Sequence, residues 1–234
     1  MKAMKMTELQ DWTRDKQRYS PSPLHWFETP RTLWILRFCL PLIYWRFLLD
    51  RSAIYLSFDD GPVAGVTDGI LNVLDSYQAK ATFFCLGMNI EQEPKIFNRL
   101  VDSGHSIGNH SYSHLAGWKT SLREYLEDVE KCDHFLPKSP NARLSPFRPP
   151  FGELGVFQGL NLVLRRKIVM WDVNSMDYRQ DQSPKMIADR VIQYVRPGSI
   201  VLLHDSEEAG PRTIEALPII LENVLSRGLK LKAI

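Results

Sequence analysis

From about residue 54 onward the chain switches repeatedly between short apolar runs and stretches whose apolar residues recur three or four positions apart. The first pattern suits strands buried on both faces, and the second an amphipathic helix. Residues 54–58, 81–86, 105–109, a short stretch near Phe147, 168–173, 199–203 and 229–234 read as strands. Residues 67–77 place Ile70, Leu71 and Leu74 on one helical face. A second helix starts at Pro94, carries Ile96, Leu100 and Val101, and stops at Gly104, as proline at a helix start and glycine past its end favour. Ser121 with Glu124 three residues later is a capping box that opens a helix through Phe135. Residues 156–166 are helical, Ser183-Pro184 starts a helix to Val195, and 213–226 form the last, with Pro218 expected to kink it.

Repeated strand–helix units without a long linker predict one α/β domain on a parallel sheet, spanning residues 54–234. Periodicity alone leaves an open doubly wound sheet and a barrel equally possible. Residues 1–53 read as an N-terminal extension. Within it, residues 33–49 are rich in Leu, Ile, Trp and Phe but interrupted by Arg37, Pro41 and Arg46, so a spanning helix is disfavoured. The stretch reads as an amphipathic cover for the domain, with a peripheral membrane contact as the alternative. No apolar signal-peptide segment follows the first residues, so the expected location is cytoplasmic or membrane-peripheral.

At 234 residues the chain is long enough for one large domain or two small ones. A net charge of +2 without a basic stripe interleaved with aromatics gives no expectation of a nucleic-acid partner. The three cysteines, Cys39, Cys85 and Cys132, are widely spaced and read as buried free thiols, not as a disulfide framework or a zinc-thiolate site.

The chemistry is concentrated where apolar strands stop. Phe58-Asp59-Asp60-Gly61-Pro62 holds two adjacent carboxylates at a strand's C-terminal end, and such neighbours need a cation to stay ionised together. His110 and His114 follow another strand and would project together if the chain takes a helical turn there. Alone the pair fits a structural role. With Asp59-Asp60 at an equivalent place it becomes a His-His-Asp site with positions open for water or substrate, the pattern of catalytic zinc. Arg148, in the stiff run Phe147-Arg148-Pro149-Pro150-Phe151-Gly152, could pair with an Asp near the metal or form a surface salt bridge. His204 ends the strand of Leu202 and Leu203 and is either a satisfied core histidine or, with Asp177 as partner, a general acid.

These segments together resemble the polysaccharide deacetylases of carbohydrate esterase family 4, with the nodulation-type chitooligosaccharide deacetylase homology domain, over roughly residues 54–234. The fourth segment departs, with Asn174 where the family has an acidic residue and Tyr178 where it has Trp. The resemblance implies a distorted (β/α) barrel of about seven parallel strands. It implies that Asp60, His110 and His114 bind a divalent ion, zinc first, with cobalt or nickel as alternatives. It makes Asp59 the general base oriented by Arg148, and His204 the general acid assisted by Asp177. The Phe151 backbone N–H would join in stabilising the oxyanion, and Leu202 and Tyr178 would shape a pocket for the acetyl methyl. The implied reaction is removal of acetyl groups from N-acetylated amino sugars of a glycan. Acetyl-ester hydrolysis, as on xylan, and a non-catalytic glycan-binding barrel are the competing readings.

Overall fold

The computed structural model describes residues 42–137 and 146–234. Nine strands run in chain order among these residues: β1 (Ile43–Tyr44), β2 (Ala53–Asp59), β3 (Thr82–Cys85), β4 (Ser106–Asn109), β5 (Pro146–Phe147), β6 (Lys167–Val169), β7 (Val173–Asn174), β8 (Ile200–His204) and β9 (Lys230–Leu231). Among the described residues seven α-helices lie between or after them: α1 (Val66–Ser76), α2 (Gly87–Gln92), α3 (Pro94–Asp102), α4 (Leu122–Asp133), α5 (Val156–Val163), α6 (Pro184–Tyr194) and α7 (Gly210–Ser226). The sheet order is β1-β6-β5-β4-β3-β2-β8-β7, with β9 added beside the start of β2. Every pairing between these strands is parallel. The sheet curves as a distorted (β/α) barrel whose path β6-β5-β4-β3-β2-β8-β7 counts seven strands, β6 and β7 both coming from the one strand expected at 168–173 and the expected closing strand, β9, lying off the path.

Period-two alternation decides what each strand offers to each face. Ile54, Leu56 and Phe58 of β2, Phe83 and Cys85 of β3, and Val201 and Leu203 of β8 point outward. There they pack on Ile70, Leu71 and Leu74 of α1 and Leu217, Ile220 and Leu221 of α7. The alternate residues Tyr55, Phe84, Ile200 and Leu202 point inward and meet Trp45, Val169, Met170 and Trp171. Register places Asp59 opposite His204 and Ser57 opposite Leu202. The inward set therefore turns from apolar to ionisable as β2 and β8 reach their C-terminal ends.

Several expected boundaries move. Residues 168–173 form two strands, because the chain leaves the ladder between β6 and β7 and crosses from one edge of the sheet to the other. Gly87, which follows the expected strand 81–86, begins α2, a helix that the apolar run does not predict. The closing strand is two residues long, and α7 starts at Gly210, before the expected Thr213, with Pro218 inside it. β1 was not anticipated; it pairs with β6, so residues beginning at Ile43 already belong to the sheet. Residues 33–41 and Cys39 of the apolar extension lie outside the described residues. Cys85 and Cys132 are buried free thiols. No helix among the described residues is long and apolar enough to cross a membrane.

Both serines cap their helices, Ser121 through the N-cap half of the expected box. Ser121 accepts from the Glu124 amide, and Ser183 from the Met186 amide at 3.2 Å. Ser183→Ala should therefore cost about 1 kcal/mol of stability, read as a lower urea midpoint at unchanged slope.

Candidate active site

Five strand ends converge at the C-terminal mouth, the edge where α/β barrels carry chemistry. β2 ends on Asp59 and leads into Asp60; β4, β5 and β8 deliver His110, Arg148 and His204; β7 leads to Asp177. The adjacent carboxylates face different partners. Asp59 is buried and accepts a 2.6 Å hydrogen bond from Arg148 at Oδ1, while its Oδ2 lies 3.8 Å from His110 Nε2. Asp60 has φ 83°, and this left-handed twist turns its side chain away from that of its neighbour. Its Oδ1 lies 3.2 Å from His114 Nε2 and 3.5 Å from His110 Nε2.

Arg148 is fully buried, which removes the surface salt-bridge reading. Its Nε and second terminal nitrogen donate to the Val169 and Met170 carbonyls at 3.1 Å, and its guanidinium lies 4.1 Å from the Phe84 ring centre. Burial pulls its pKa down, opposed by Asp59, and the fixed fork presents a preset cation to that carboxylate.

His110 and His114 come together without a helical turn. The connecting loop uses left-handed backbone at Ser111 (φ 68°) and His114 (φ 61°). Asp128 of α4 holds it, accepting from the Tyr112 and Ser113 amides at 3.0 and 3.1 Å and from the Ser113 hydroxyl at 2.7 Å. Asn109 accepts from the Ser111 amide at 2.7 Å and donates to Asp133 at 2.8 Å. The Arg148 carbonyl lies 2.8 Å from His110 Nδ1. A carbonyl only accepts, so Nδ1 carries the proton and Nε2 presents its lone pair toward Asp60. Burial pushes the His110 pKa down to about 4, against the nearby carboxylates, so the imidazole is neutral at pH 7.

The ligand atoms of Asp60, His110 and His114 all lie within 4.8 Å of one another. Asp60 Oδ1 is buried and has no hydrogen-bond donor among the described residues. Burial opposes its ionisation, but His114 and His204 hold its pKa well below the usual carboxylate range. Tetrahedral zinc with bonds of about 2.0–2.2 Å holds its ligand atoms about 3.3–3.6 Å apart. An undonated anionic oxygen beside imidazole nitrogens at such spacings fits a divalent cation.

Across the mouth, His204 Nδ1 lies 2.7 Å from Asp177 Oδ1. Asp177 Oδ2 accepts from the His204 amide and from the Thr213 hydroxyl, each at 2.7 Å. Burial disfavours the imidazolium, but Asp177, with help from Asp60 and Asp59, raises the His204 pKa to about 9. Burial likewise opposes the Asp177 charge, and His204 outweighs it, so Asp177 stays ionised. The Tyr178 ring meets His204 edge-on at 5.5 Å, and Leu202 is buried one inward position below. Asn174 accepts from the Met176 amide at 2.9 Å, shaping the turn into Asp177. Phe151 has φ 58° and rests its half-exposed ring on His114, with centres 4.4 Å apart.

Two carboxylates at the site had no role assigned from sequence. Asp128 sits in an ordinary helical repeat, and nothing local marks it. Asp205 directly follows His204, and its backbone N–H donates to the Asp59 carbonyl at 3.0 Å. Burial, the largest influence, raises its pKa to about 7.

The family model described as polysaccharide deacetylase matches residues 49–159. The chain is 31% identical over 182 residues to the peptidoglycan-N-acetylmuramic acid deacetylase PdaC of Bacillus subtilis, a match covering 78% of this chain and 38% of that protein. It thus spans well under half the length of that relative. It is 30% identical over 206 residues to a chitooligosaccharide deacetylase of Azorhizobium caulinodans, covering 80% of this chain and 95% of the relative. The crystal structure of the Bc1960 peptidoglycan N-acetylglucosamine deacetylase, bound to a naphthalenyl N-oxidanyl-benzamide, superposes with a TM-score of 0.75 at 31% identity. That superposition covers 82% of this chain and 90% of that one.

Proposed function

The chain belongs to the polysaccharide deacetylase family, and from that premise we propose that it is a metal-dependent hydrolase of acetamido sugars. The observation that carries the reading is one mouth holding three elements. These are an undonated Asp60 oxygen between two histidine nitrogens, an Arg148-bound carboxylate beside it, and a carboxylate-paired histidine opposite.

Asp60, His110 and His114 would hold the cation, with zinc the first choice for a His₂Asp donor set. When bound, it polarises the acetyl carbonyl and acidifies a water, lowering a pKa of 15.7 toward roughly 7. Asp59 takes the proton of the attacking water. Arg148 holds its Oδ1 at 2.6 Å and so fixes the carboxylate in place for that transfer. The Phe151 backbone N–H is assigned to the oxyanion. His204 gives its proton to the departing nitrogen, which leaves poorly as an anion, and Asp177 keeps that proton in place. Leu202 and Tyr178 form the wall that receives the acetyl methyl. The relatives support peptidoglycan or chitooligosaccharide as substrate, with N-acetylated amino sugars as the shared chemistry.

The test is acetate release from chitooligosaccharides and peptidoglycan fragments by protein stripped with chelator and reloaded with zinc. Stripping should abolish release and zinc restore it. Release indifferent to chelator would contradict the metal assignment. Zinc uptake without acetate from any acetylated glycan would favour a glycan-binding barrel.

A further inference from the structure

We propose that Asp205 is a positioning residue that sets the turn carrying Asp60, an inference that rests on the hydrolytic reading above. Asp60 adopts a left-handed backbone, a conformation that non-glycine residues keep only where their surroundings over-determine it. Asp205 bonds both of its neighbours. Its amide donates to the Asp59 carbonyl at 3.0 Å, and its carboxylate Oδ1 accepts from the Gly61 amide at 2.9 Å. Oδ2 accepts from the Thr67 hydroxyl at 2.7 Å, which in turn accepts from the Val63 amide at 2.8 Å. One side chain thus joins the end of β8, the turn after β2 and the start of α1.

The fit between carboxylate and turn is close. A Cβ added at Gly61 would lie 1.8 Å from Asp205 Oδ2, so the glycine is the surface on which the carboxylate rests. Asp205 is fully buried, and no ion pair neutralises it among the described residues. A carboxylate in that state costs free energy that an apolar residue of similar size would not. Its partners show what it does there: it satisfies the turn's amide and hydroxyl donors. Asn89 and Leu86 anchor the Asp60 and Gly61 carbonyls from the other side at 2.6 and 3.0 Å. Asp205 therefore acts through Gly61 and Asp59, aiming Asp60 at His110 and His114 while Asp59 stays with Arg148.

Asp205→Asn keeps the volume and one acceptor but turns the other oxygen into a donor facing Thr67. In a competition titration of the full chain against a chromophoric chelator, this variant should bind zinc about 10–100-fold more weakly than wild type. Turnover should fall with it while KM changes little, since no substrate contact is removed. Thr67→Val should move zinc affinity in the same direction, and Thr67→Ser, which keeps the hydroxyl, should restore it. A folded Asp205→Asn with wild-type zinc affinity would overturn the proposal. If that variant does not fold, unchanged zinc affinity in Thr67→Val does the same. Failure of the wild-type chain to bind zinc would instead remove the metal reading, and this proposal with it.

Discussion

His110→Ala should empty the metal site and take acetate release to background, the largest loss expected of any single change. The substitution removes the Nε2 lone pair aimed at Asp60 and leaves the Arg148 carbonyl without its donor. Losing an outer partner of a metal site typically costs about 10–100-fold in affinity, and losing a direct ligand should exceed that. Asp59→Asn should behave oppositely with respect to metal, retaining zinc while losing about 10²–10⁴-fold in turnover, the range for a positioned acid or base. It should also lower stability, because Arg148 is fully buried against Asp59, and breaking a buried pair costs up to about 3–5 kcal/mol. Zinc content after gel filtration, thermal unfolding and acetate release on the same preparations separate these effects. Full zinc content in His110→Ala, or near-wild-type turnover in Asp59→Asn, would reverse the corresponding assignment.

His204→Ala should cost about 10²–10⁴-fold on an acetamide, and less on an acetyl ester, whose alkoxide leaves more readily than an amine anion. Equal losses on both substrates would count against proton donation to the leaving group. The pH dependence tests the same role. His204 must be protonated, and Asp177 outweighs burial to raise its pKa to about 9. Activity should therefore fall as pH rises through an alkaline limb at about 9, or below it, because a dication beside Asp60 opposes the rise. Asp177→Asn leaves burial unopposed by that carboxylate, so the limb should move to lower pH. A limb unmoved in Asp177→Asn would detach His204 from the mechanism. The stability term has the same sign. An unfolded histidine titrates near about 6.5, so the stabilisation is fully present below that pH. It is lost as pH climbs through the folded value of about 9.

How far the site was readable depends on how each residue is placed. Asp59, Asp60 and His204 come just where an apolar run stops, His110 and Arg148 just after shorter strands, and in a parallel barrel those strand ends share one rim. Parity added more: within β8, Leu202 and His204 must share a face, whatever packs around them. The His110–His114 pair comes together, but not through the helical turn that its spacing would allow, because side-chain spacing says nothing about φ. The two histidines meet through left-handed backbone at Ser111 and His114, anchored by Asp128 from a distant helix. Asp128 is an ordinary acidic position in α4, and only the folded chain brings it under the loop.

The sequence by itself determined the alternation of strands and helices, the strand ends that carry ionisable groups, and the family. These follow from local periodicity and from motifs of a few adjacent residues. Tertiary structure decided the partners. Asp59 and Asp60 are neighbours of one residue type, yet one meets Arg148 and the other the two histidines. Their separation depends on the backbone at Asp60, which Asp205 clamps from β8. Tertiary structure also split residues 168–173 into β6 and β7, because strand pairing is settled by neighbours far along the chain and not by the apolar run itself.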